Sequence, residues 1–91
     1  MITIDDVLGL CECTRDEIDA IAEHEHIPEI AAAALAAYLV DQPGGPARIL
    51  EMIRDDVRHA IERGDRAHAR ELVMALRHFL SEHPEALEQR R

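Results

Sequence analysis

The stretch Ile30-Ala31-Ala32-Ala33-Ala34-Leu35-Ala36-Ala37-Tyr38-Leu39-Val40 decides how the rest of the chain is read. It is apolar throughout, with no polar interruption. An amphipathic helix carries an apolar stripe; a helix apolar on every side is expected to be enclosed by other helices or by a second subunit. The run is too short to cross a bilayer, which takes about 20 apolar residues. Its ends are marked. Pro28 stops the preceding helix and suits the first turn of a new one. The turn formers Asp41-Gln42-Pro43-Gly44-Gly45-Pro46 close it. A helix over residues 28–40 follows.

On the N-terminal side, Thr14 and Glu17 have capping-box spacing and open a helix over about residues 15–25, with Ile18, Ile21 and Ala22 as its apolar face. Thr3 caps a shorter helix over residues 4–11, which Gly9 weakens. On the C-terminal side, Ile49, Leu50, Ile53, Val57, Ala60 and Ile61 recur at helical spacing between Pro46 and Arg63. Gly64 then stops one helix and Asp65 caps the next, whose stripe is Ala69, Leu72, Val73, Leu76, Phe79 and Leu80. So short a connection makes the two helices an antiparallel hairpin. Pro84 ends the last helix, and residues 84–91 read as a frayed tail. The expected fold is all-α: a single domain holding a compact bundle of about five helices with a C-terminal helical hairpin.

Composition narrows the function. With Tyr38 and Phe79 the only aromatics, the core must be aliphatic and alanine-rich. Residues 1–41 carry the whole net charge of −9, while residues 42–91 sum to zero. An acidic chain repels phosphate backbones, which disfavours nucleic acid. Helices over 4–11 and 15–25 loosely suggest a helix-turn-helix regulator. A recognition helix bearing Asp16, Glu17, Asp19, Glu23 and Glu25 would, however, meet phosphate repulsion. Cys11 and Cys13 lie too close in sequence to staple anything, and no basic leader precedes an apolar run, so a cytoplasmic protein is expected.

The tract Glu23-His24-Glu25-His26-Ile27-Pro28-Glu29 is the densest set of potential ligands. At about 100° per residue Glu25 falls near the centre of the face defined by Ile18, Ile21 and Ala22. A carboxylate aimed at a core needs a partner. Either a metal or a histidine supplies it, or the helix ends before Glu25 and leaves it in water. Glu23 and His26 have the Glu-x-x-His spacing of di-iron carboxylate bundles, and Asp56 with His59 repeats it. A divalent transition metal held by Glu23, Glu25, His26, Glu29 and His59 is therefore one candidate site. A zinc site pairing Cys11 and Cys13 with His24 and His26 is opposed by about 15 Å of intervening helix. Arg66, Arg70 and Arg77 align along one side of the last helix, a candidate surface for an acidic protein partner or a phosphate; the alternative is a solvated face laced with weak ion pairs. No nucleophile–base set or glycine-rich phosphate loop is present, so no catalytic residue is expected.

The segment Ala20-Ile21-Ala22-Glu23-His24-Glu25-His26-Ile27-Pro28-Glu29-Ile30-Ala31 resembles a stretch of small uncharacterised bacterial all-helical proteins. The likeness extends from Asp6-Val7-Leu8-Gly9-Leu10 to Leu76-Arg77-His78-Phe79. It implies a soluble bacterial helical protein and assigns no activity. The sequence then favours an interaction module that forms a homodimer through its last three long helices, with metal binding as the alternative.

Overall fold

A computed structural model of the chain describes residues 14–89. The helix expected over residues 4–11, with Cys11 and Cys13, lies outside the described residues. Five helices follow in order: α1 (Arg15–Glu25), α2 (Glu29–Val40), α3 (Gly45–Glu62), α4 (Arg66–Glu82) and α5 (Glu85–Gln89). No strand occurs among the described residues, and the fold is the all-α bundle that the periodicity requires.

Local chemistry sets each boundary. Thr14 caps α1 in a reciprocal capping box: its hydroxyl accepts from the Glu17 N–H, and Glu17 Oε2 accepts from the Thr14 N–H at 2.9 Å. The helix ends at His26, which is left-handed (φ 56°, ψ 44°) and donates its N–H to the Ala22 carbonyl. Histidine is among the few non-glycine residues that adopt this region with any frequency. Between α3 and α4, Gly64 takes φ 78° and Asp65 Oδ1 accepts from the His68 N–H at 3.1 Å. The turn is tight, and α3 and α4 pack along each other as the expected hairpin.

The core runs between the helices through Ile18 and Ile21 of α1, Ala32, Ala33 and Ala36 of α2, Ile49 and Ile53 of α3, and Leu72 and Phe79 of α4. Alanines on the inner side of α2 let backbones approach closely. The closest approach is at Gly45, where a Cβ would lie 1.5 Å from the Leu39 carbonyl oxygen. Only glycine fits there.

Three sequence readings change. Residues 85–89, read as part of a frayed tail, form α5. Ala86 is fully buried, and Gln89 Oε1 accepts from the Ala47 N–H at 3.3 Å. Proline ends α4 but also suits the start of another helix, and Ala86 adds enough burial to hold one turn. Ile61 and Val73, placed on the apolar stripes of α3 and α4, are 62% and 39% exposed, Ile61 lying in the last turn of α3 beside the hairpin's connecting turn. Finally, α2 is not enclosed by the described helices. Ala32, Ala33, Ala36 and Leu39 are buried, while Ile30, Ala31, Ala34 and Tyr38 face outward.

Candidate functional site

Two regions depart from the usual placement of polar and apolar groups. The first is an acid–histidine junction where the end of α1 meets α3 and α4. Glu23 Oε1 lies 2.5 Å from His68 Nε2, which joins α1 to α4. His24 Nε2 lies 3.2 Å from Asp55 Oδ2, which joins α1 to α3; Arg58 also bonds Asp55. Behind them Asp56 is 2% exposed, and its Oδ2 has no hydrogen-bond partner. Burial, reinforced by the charge of Glu23, pushes the Asp56 carboxyl up to about 7. The Glu23 hydrogen bond raises His68 above its ordinary value, while the His24 bond holds Asp55 below the usual carboxylate range.

A second acid–histidine pair lies farther along the same seam. The Glu17 carboxylate is 1% exposed and accepts from both Thr14 groups; its Oε2 also lies 3.0 Å from His78 Nδ1. Histidines of α4 thus meet acids of α1 at both ends of an antiparallel contact. These groups close helix against helix. With the Asp56 carboxyl pushed up to about 7 and His68 raised by Glu23, the junction is a seam whose strength depends on pH.

The expected metal ligands do not converge. Glu23 is committed to His68, and Glu25 lies 3.5 Å from His24. His26 is exposed at the α1 cap, turned away because the helix stops one residue before it. Glu29 pairs with Arg15 at 2.8 Å and hydrogen-bonds Asp19; lost solvent, then that bond, push Asp19 up to about 6. His59 is exposed on α3, although its spacing partner Asp56 is buried. Among the described residues no group of three or more His, Cys, Asp or Glu side chains is placed to hold a metal ion. Glu25 is half-buried beside His24 at the end of α1.

The second region is the outer face of α2. Ile30 is 41% and Tyr38 62% exposed, with Ala31 and Ala34 between them. Charge is confined to Glu29 at one end and Asp41 just past the other. Isolated exposed apolar residues are ordinary; a contiguous stripe along one helix is not. Arg66, Arg70 and Arg77 are exposed on α4, and none has an ion-pair or hydrogen-bond partner among the described residues.

Sequence reasoning missed Asp56 and Glu17 as buried groups. For Asp56 a signal exists: helical phase sets it beside Ile49, Ile53 and Ala60. For Glu17 the capping box was legible, but its histidine partner lies 61 residues away on another helix.

No helix of the described residues is long and apolar enough to cross a membrane. Comparisons with family models, curated proteins and solved structures find no match to this chain.

Proposed function

We propose that this protein is a small helical interaction module that self-associates as a homodimer through the outer face of α2. The observation that carries the reading is the uncharged stripe Ile30, Ala34, Tyr38 on a chain of net charge −9. Its spacing is symmetric. Ile30 and Tyr38 each stand four residues from Ala34, so an antiparallel copy related by a twofold axis at Ala34 sets each Ile30 against the other chain's Tyr38. That is the self-complementary pattern a twofold dimer demands. Ala31 and Ala34 leave room for the two backbones to come close. Most other faces of the chain carry charge, and acidic faces repel one another.

A helix of 12 residues is about 18 Å long, so the buried area falls at the small end of specific interfaces and the dimer exchanges with monomer. Sedimentation or light scattering tests this. The expected mass at micromolar concentration is twice the 10.2 kDa chain, reverting to monomer in Tyr38→Asp with the helical circular dichroism spectrum retained. A concentration-independent monomer, or a dimer indifferent to Tyr38→Asp, overturns the reading.

A further inference from the structure

The outer face of the α3–α4 hairpin combines features found nowhere else among the described residues. A cavity of about 280 Å³ opens between the two helices, lined by Arg54, Val57, Arg58, Val73 and Leu76. Its floor is aliphatic. Val73 is 39% exposed, and Val57 and Leu76 are partly covered. Its α3 rim is cationic: Arg54 lies 3.6 Å from Glu51, and Arg58 is bonded to Asp55. Beyond the lining, the adjoining surface of α4 is cationic, and its arginines have no ion-pair partner among the described residues. At about 100° per residue Arg66, Arg70 and Arg77 fall within roughly 40° of one another, immediately beside Val73.

Three unpaired guanidinium groups in one row repel each other, and they sit on a protein whose total charge is negative. The exposed Val73 beside them also loses nothing by being covered, whereas a row serving only solubility needs no apolar floor. We infer that this groove docks an acidic amphipathic helix from a partner protein. Apolar residues of that helix at i, i+3, i+4 and i+7 would lie on Val57, Val73 and Leu76, and its flanking carboxylates would meet the arginines. A phosphate backbone is the weaker fit. A duplex presents no apolar face to the aliphatic floor, and the groove offers no aromatic ring on which an unpaired base would stack. The surface lies on the hairpin, apart from the α2 stripe, so the inference does not depend on the dimer.

Fluorescence anisotropy separates the outcomes. The probes are a labelled helical peptide with Leu at i, i+3, i+4 and i+7 and Glu elsewhere, its counterpart with Lys for Glu, a duplex DNA oligonucleotide, and a peptide of this chain's own residues 1–13. The acidic helix is expected to saturate at micromolar protein and to weaken as salt is raised. Arg70→Glu with Arg77→Glu should weaken it at least about tenfold, the scale of reversing close charges at an interface. Val73→Asp should do the same, while Tyr38→Asp leaves affinity unchanged. Circular dichroism and urea melts establish that each variant is folded; a variant that fails this check is replaced by Arg70→Gln with Arg77→Gln. The inference is overturned if the acidic peptide does not saturate, if the Lys peptide binds as well, or if the arginine variants bind undiminished. Tighter binding of the DNA, or displacement of the acidic helix by the residues 1–13 peptide at equal concentration, also overturns it in favour of that other occupant.

Discussion

At the junction of α1, α3 and α4 the chain buries carboxylates; along the outside of α2 it exposes aliphatic and aromatic carbon. The two regions invert the ordinary distribution in opposite senses, and their remedies differ. Glu17 has Thr14 and His78 against it, and Glu23 has His68, so the polar groups of the junction are mostly answered from within the chain. Asp56 has no such partner for its Oδ2, and burial pushes its carboxyl up to about 7. The stripe of Ile30, Ala34 and Tyr38 has no such answer among the described residues. A seam satisfied internally is structure, whereas a face left unsatisfied points to what the protein meets.

The contrast depends on α2 being seated so that one side is inside and the other out, and Gly45 fixes that seat. A Cβ at this position would overlap the Leu39 carbonyl oxygen. Gly45→Ala must therefore push α2 from α3 and open the contacts of Ala33, Ala36 and Leu39. The expected loss is about 3 kcal/mol or more, the range of overpacking combined with core disruption. Urea unfolding followed by circular dichroism measures it. A variant within about 1 kcal/mol of the parent would mean that α2 is held less firmly than the geometry requires.

The junction makes a smaller, pH-dependent prediction. Asp56 has a folded value of about 7 against an ordinary 3.8, so the folded protein binds the proton more tightly than the unfolded chain. The advantage of the protonated folded form is present at low pH and fades as pH rises through 7. His68 acts in the same sense: raised by Glu23, it contributes stability below its ordinary 6.5 that is lost as pH rises through its folded value. Asp55, held low by His24, contributes above 3.8 and loses its effect only in stronger acid. Stability should thus fall between pH 6 and pH 8, by about 1 kcal/mol from Asp56 alone. Asp56→Asn cannot ionise and should flatten most of that slope in thermal melts. A parent protein whose melting temperature rises from pH 6 to pH 8 would contradict the seam as described.

How much of this was legible follows from which signals are local. Capping chemistry is local, so the Thr14–Glu17 box, the Pro28 boundary and the Gly64–Asp65 turn could be read directly from residue order. Helical phase is local too, and it places Asp56 beside Ile53; the Asp-x-x-His spacing points instead to His59, which faces solvent. Contacts between helices are not local. Glu17 with His78 and Glu23 with His68 need the antiparallel approach of α1 and α4, which no residue pattern specifies. The Glu-x-x-His spacing treats Glu23 and His26 as one turn of helix, whereas α1 ends at Glu25 and His26 is left-handed, so the two side chains do not share a face.

Least legible was the facing of α2, because a run of alanines offers no amphipathic contrast. Ala33 is fully buried and Ala34, its neighbour, is exposed; composition cannot tell them apart. Leucine can. Ala33→Leu forces three extra carbons into a closed contact and should cost about 1–3 kcal/mol. Ala34→Leu extends into open space on a good helix former and should change folding by no more than about 0.5 kcal/mol. Its effect lies elsewhere. If two copies meet about Ala34, leucine there holds their backbones apart, and self-association should weaken at least tenfold while the unfolding curve, read below the dimerisation range, is unmoved. Equal destabilisation by both leucines would mean that α2 is buried on all sides after all, and the distinction between its two faces would disappear.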